Sequence, residues 1–300
     1  MQVEIKNPVM RFVVHGHLVL ALGAASQVRW VNDLVHMHAD GRLIAFVALA
    51  VFAAYGSMRL LRMNVPELEG SSTMIWYRAH SRLMVGLAGA CAIGAMVIGW
   101  PVRSLIFHAL WLPGLLAGFY ILPLGFTGGR PIGLRRIPFL KGFIIAFVWA
   151  SVAVVLPGTS VLDGSPFISG DVWWIMSIWL CYFLAIAIAF DIRDLPYDPP
   201  ALRTIPQVFG ARGAKFIAIL LLIPLLIMLA VMTAITYYPF ETGWREPGID
   251  FSLALPILGV LFTGVLVAVA GAQRPWWLYT VLLDGSLILL PALSWLGGLV

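Results

Sequence analysis

The sequence is poor in charge. Of its 300 residues only 11% are Asp, Glu, Lys or Arg, while 61% are hydrophobic. Soluble domains carry roughly 25% charged residues, so this chain cannot cover a soluble fold of its own length. The mean hydropathy of +0.95 points the same way, to lipid as the main solvent. Cysteine is scarce as well. Cys91 and Cys181 both lie inside apolar runs, which excludes a secreted disulfide scaffold. No basic block is present, because the 19 basic and 14 acidic residues are scattered through the loops. Nucleic acid is therefore not an expected partner. The sequence has no linker and no low-complexity tract, and its apolar content excludes disorder. A single integral membrane domain over 1–300 is expected.

What the sequence has is long apolar runs. A spanning helix needs about 20 mostly apolar residues. Nine stretches qualify: 12–31, 41–61, 81–100, 104–126, 138–157, 172–190, 214–237, 251–271 and 276–298. They are too long and too uniformly apolar for barrel strands. The expected class is an all-α polytopic membrane protein. The first stretch carries His15, His17, Gln27 and Arg29 and lacks a cleavage site, so it reads as a span rather than a signal. With the N-terminus in the cytoplasm, 15 of the 19 Lys and Arg fall on the cytoplasmic side. Positive residues concentrate there in membrane proteins. The expected location is the cell (inner) membrane, N-terminus inside and C-terminus outside. Prolines at 113, 123, 224, 256 and 291 lie in spans, where neighbouring helices can satisfy the freed carbonyls. Gly86, Gly89 and Gly94 suggest close helix packing. The pairs Trp173–Trp174 and Trp276–Trp277 suggest interfacial anchors.

Charge at membrane depth is costly and marks function by default. The main cluster closes the sixth span: Asp191-Ile-Arg-Asp194-Leu-Pro-Tyr-Asp198. On a continuous helix the three carboxylates would share a face. They would repel one another unless a cation lay between them, and Mg²⁺ with its oxygen ligands suits the place. A solvated helix end is the plainer alternative. Pro196 should break the helix near Asp194. Downstream, Leu202-Arg203-Thr204-Ile205-Pro206 echoes Leu134-Arg135-Arg136-Ile137-Pro138. Each precedes a span entering from the cytoplasm. Arg135, Arg136, Lys141 and Arg203, beside helix N-termini, could bind phosphate groups or could simply obey the positive-inside rule. Asp284 is the one acid well inside a span. It could bind a cation, steady a carbocation or bond a polar neighbour. His15, His17 and His80 near span ends admit a haem or metal reading, and so do His36 and His38 with Asp33 and Asp40.

These segments resemble a known family. Asp191 to Asp198, followed by Arg203-Thr204-Ile205-Pro206 and Phe209-Gly210, is similar to the second aspartate-rich motif of the UbiA superfamily of intramembrane prenyltransferases. Arg136-Ile137-Pro138-Phe139-Leu140-Lys141, with Phe147-Val148-Trp149-Ala150, resembles the start of that family's fifth helix. The resemblance implies a nine-helix bundle and Mg²⁺-dependent transfer of a prenyl group from a polyprenyl diphosphate to a lipophilic acceptor. It implies Asp191, Asp194 and Asp198 as catalytic metal ligands. Arg203 and Lys141 stand where the family has basic residues, and Arg135, Arg136 and Asp284 are further candidate substrate-binding residues. The family's first motif, Asn-Asp-x-x-Asp-x-x-x-Asp, has no match after the second span, where Tyr55 to Arg59 and then Asn64 to Glu69 stand, with Glu67 and Glu69 the nearest acids. Asn32-Asp33 lies on the outer side in this topology. A non-catalytic member that binds a lipid, quinone or partner protein is the alternative. A small transporter is the third reading, and the Leu-Arg-x-Ile-Pro echo runs in one direction rather than inverted.

Overall fold

The computed structural model describes residues 7–34, 40–63, 72–121, 125–127, 130–132, 134, 137–159, 170–237 and 249–299. Helices account for nearly all of them. In chain order they are α1 (Pro8–His15), α2 (Leu18–Leu34), α3 (Gly41–Arg62), α4 (Ser72–Ala79), α5 (Ser81–Gly99) and α6 (Arg103–Ile121). Then come α7 (Leu140–Ala150), α8 (Leu156–Thr159), α9 (Gly170–Asp194), α10 (Ile205–Tyr237), α11 (Phe251–Val269) and α12 (Asp284–Gly297). A three-residue pair, β1 (Gly125–Thr127) and β2 (Arg130–Ile132), is antiparallel.

Local chemistry sets several helix starts. Asn7 accepts from the amides of Val9 and Met10, and Pro8 occupies the first turn of α1. Asp40 caps α3 through the Arg42 amide, and Asp250 caps α11 through the Ser252 amide. These side chains satisfy N–H groups that a helix start leaves free. Pro113, Pro224, Pro256 and Pro291 do lie inside helices. Pro123 lies outside the described residues.

Among the described residues, seven helical stretches are long and apolar enough to cross a membrane, and eight if α1 and α2, bent by 55°, form one. Nine were expected. The difference arises between α5 and α6, where a single 3-10 turn, Trp100–Val102, joins them into one continuous stretch of 40 residues, Ser81–Tyr120. The expected interhelical loop is itself helical.

Each helix packs on its neighbour in the series α6, α7, α9, α10, α11, α12, α2, α3, α5. The most buried is α9, whose residues from Trp179 to Ile192 supply the centre of the core. Outward faces stay apolar: Val85, Met96, Phe107, Leu115, Ile227 and Val265 are all exposed. Lipid-facing surfaces need this composition. The glycines of α5 divide. A Cβ on Gly94 would press on Leu49 of α3 at 3.2 Å, whereas one on Gly86 or Gly89 would meet nothing. Only Gly94 of the three serves close packing. Trp173, Trp174 and Trp277 are exposed, as anchors should be.

One polar junction sits in the middle of the core. Gln27 of α2, fully buried, donates to the carbonyl of Leu287 on α12 at 2.8 Å and accepts from the Trp179 indole of α9 at 3.0 Å. Trp30 packs on the same indole, with ring centroids 5.5 Å apart and planes tilted by 53°. Replacing Gln27 by Leu strands a buried N–H and a carbonyl. Such loss costs about 1–3 kcal/mol, so Gln27→Leu should melt several degrees lower in detergent, by near-UV circular dichroism. An unchanged melting point would deny the junction its weight.

Candidate functional site

The site grows from the end of α9. The helix stops at Asp194, as Pro196 requires. The amides of Tyr197 and Asp198 both donate to the Asp194 carbonyl, at 2.8 and 2.9 Å. This turn folds Asp198 back toward α9. Opposite it, α7 begins at Leu140 after Phe139, whose φ of 63° is left-handed. Arg203 is left-handed too, with φ 44°. The Phe139 amide donates to the Leu202 carbonyl at 3.1 Å. The two echoed segments thus meet directly. Gln207 braces the second one: its amide donates to the carbonyls of Asp198 and Pro199, and its oxygen accepts from the Thr204 amide.

This frame places Lys141, in the first turn of α7, among the three aspartates. Its Nζ lies 2.8 Å from Asp191, 2.5 Å from Asp198 and 3.6 Å from Asp194. The Lys141, Asp191 and Asp198 side chains are no more than 7% exposed, and Asp194 is 28% exposed. Arg193 donates to the other Asp194 oxygen at 2.7 Å. Its guanidinium lies over the rings of Phe190 and Tyr279, at 4.8 and 5.3 Å. The sequence reading placed a cation between these carboxylates. The cation the fold puts there is an ammonium group. Mg²⁺ requires near-octahedral oxygen ligation, and here the two buried carboxylates point at Nζ. No group of three His, Cys, Asp or Glu able to hold a metal occurs among the described residues. In this arrangement the donors do not fit the ion.

Next to the cluster lies a wall of buried polar side chains. Arg59 of α3 donates to His17 Nε2 at 3.2 Å. The His17 ring packs on Tyr55 and Tyr77, at 5.6 and 6.4 Å. Tyr55 accepts from the Trp149 indole at 3.3 Å. The Tyr77 hydroxyl is buried without a hydrogen-bond partner among the described residues. Burial pushes it up to about 12, against the opposing pull of Arg59, so it remains a donor at neutral pH. Asp284 follows a π-helical turn, Leu278–Leu283, a distortion frequent at functional sites. It is 6% exposed, and its carboxylate makes no hydrogen bond or ion pair with the described residues. Arg193 and Arg59 are the charges that act on it.

The structure gathers Asp191, Asp194, Asp198 and Lys141 into one cluster, with Asp284 in electrostatic reach of its neighbour Arg193. Arg203 stays apart. It is exposed and lines a cleft of about 540 Å³ with Phe139, Asp198 and Gln207. Arg135, Arg136, Glu67, Glu69, His36 and His38 lie outside the described residues. The remaining histidines have other partners: His15 bonds Thr73, and His80 bonds the Trp76 carbonyl and stacks on its ring. Asp33 accepts from Arg29 and from the Trp295 indole, joining α2 to α12. Sequence reasoning missed Arg59, Tyr55 and His17 as a group. Arg59 lies inside the stretch 41–61, which is the signal that could have marked it.

Removing one partner from a buried ion pair costs about 3–5 kcal/mol, because the remaining charge is uncompensated. Lys141→Met should therefore lower the melting point sharply, and adding Asp191→Asn to it should recover part of the loss. A double variant less stable than the single one would contradict this coupling.

Compared with protein-family models, with curated proteins and with solved structures, the chain matches none.

Proposed function

We propose that the chain is a UbiA-like protein of the inner membrane that binds an isoprenoid lipid through an uncharged, hydrogen-bonding head group, a quinone being the type. The observation that carries this is Asp284: a buried carboxylate without a partner among the described residues, in reach of Arg59 and Arg193. Buried polar groups are normally satisfied, and a neutral Asp284 carboxyl would donate its O–H to a quinone carbonyl. Charge balance supports an uncharged head. Lys141, Arg59 and Arg193 face Asp191, Asp194, Asp198 and Asp284. Among the described residues of the cluster and wall, the cations do not outnumber the carboxylates, which leaves no surplus positive charge for a diphosphate.

Nine crossings agree with the helix lengths. The 40-residue stretch Ser81–Tyr120 would be about 60 Å long if straight, twice the hydrocarbon thickness of about 30 Å. Two crossings there, with α1–α2 as one, give nine. An odd count keeps Arg59, Lys141, Arg193 and Arg274 on one side, which supports a cytoplasmic N-terminus.

Prenyl transfer from a diphosphate with Mg²⁺ is the second reading, and the likeness of residues 191–210 to the family's motif favours it. It requires Lys141 to release at least two aspartates. Quenching of tryptophan fluorescence by a short-chain ubiquinone separates the two, since Trp149 borders the wall. Saturable quenching indifferent to Mg²⁺ is expected. Asp284→Ala should weaken it about tenfold, the worth of one hydrogen bond of about 1.4 kcal/mol. Geranylgeranyl diphosphate binding that needs both Mg²⁺ and Asp191 would establish transfer instead.

A further inference from the structure

We propose that Lys141 is a built-in substitute for a divalent cation, so that the aspartate cluster is closed to metal as long as this side chain is present. Three carboxylates from an eight-residue segment converge on one point, and the occupant of that point is covalently part of α7. An ammonium offers three N–H donors. Asp191 and Asp198 accept from it at 2.8 and 2.5 Å, and Asp194 pairs with its charge at 3.6 Å. The two shortest contacts go to the two most buried carboxylates, and Asp194 shares its second oxygen with Arg193. A metal entering this cluster would have to displace a buried lysine into an apolar helix packing. Gly142 lies against this packing: a Cβ there would be in ordinary contact with Leu184 at 3.5 Å and the Asp191 carboxylate at 3.6 Å.

The backbone holds the substitute in register. Phe139, two residues before Lys141, is tied to Leu202 by a main-chain bond, and Gln207 ties Asp198 to the start of α10. Lysine and aspartates therefore arrive together whenever α7 and α9 pack. The cluster fastens two helices without metal.

The test uses the full chain in detergent and Mn²⁺ as the probe, read by the loss of its free electron-resonance signal. No lipid ligand takes part, so failure here is distinct from failure of the quinone reading. Wild type should take up no Mn²⁺ at millimolar concentration. Lys141→Met should bind one ion at least tenfold more tightly than wild type and should regain melting temperature as Mn²⁺ is added. Lys141→Met with Asp191→Asn should lose that gain. Saturable Mn²⁺ binding by wild type that Asp191→Asn removes would overturn the proposal, and so would a folded Lys141→Met that ignores the ion. A second measurement covers a variant that does not fold. The chain has three lysines, Lys6, Lys141 and Lys215. Brief acylation of folded wild type, read by mass spectrometry, should spare Lys141, and Asp191→Asn with Asp198→Asn should expose it. Equal labelling of Lys141 and Lys6 in wild type would count against the proposal.

Discussion

The structure depends on one ammonium group placed where three carboxylates would otherwise repel. Each of these charges is expensive to take out of water, by several kcal/mol per ion. The cost is tolerable only because Lys141 meets Asp191, Asp194 and Asp198 together. That requirement orders much of the rest. The helix α9 must end at Asp194 so that Asp198 can turn back. The start of α7 must take a left-handed residue to aim Lys141. The segment before α10 must be braced by Gln207 to keep the turn closed.

The membrane class was legible from composition, and the helix positions from the apolar runs. The starts and ends were legible where a named residue acts locally, as at Asn7, Asp40, Asp250 and Pro196. What escaped the sequence was every pairing set by tertiary contact. Asp191, Asp194 and Asp198 announced a need for a cation, and Lys141 was singled out, but 50 residues separate Lys141 from Asp191. Nothing in spacing joined them. Gln27 and Trp179 are further apart still, and neither looks remarkable within its own run. Arg59 was read as a topology charge although it lies within a span. The apolar stretches 81–100 and 104–126 left a short gap that was read as a loop, whereas Pro101 sits in the first turn of a helical segment, which accepts proline readily.

The polar wall and the cluster are two parts of one electrostatic system. Arg193 belongs to both: its Nε serves Asp194, its face rests on Phe190 and Tyr279, and its charge reaches Asp284. Arg59 extends the system to α3 and, through His17, to the bend between α1 and α2. Four helices far apart in sequence thereby sense one another through buried charge. In a low-dielectric interior such coupling is weakly screened.

The left-handed backbones of Phe139 and Arg203 carry a mechanical consequence. A left-handed conformation costs a non-glycine residue roughly 1–2 kcal/mol, and here two such residues flank the bond between Phe139 and Leu202. The ion cluster therefore holds two strained residues in place. Part of the attraction in its salt bridges offsets that strain, so the packing of α7 against the turn after α9 is weaker than the salt bridges alone would make it.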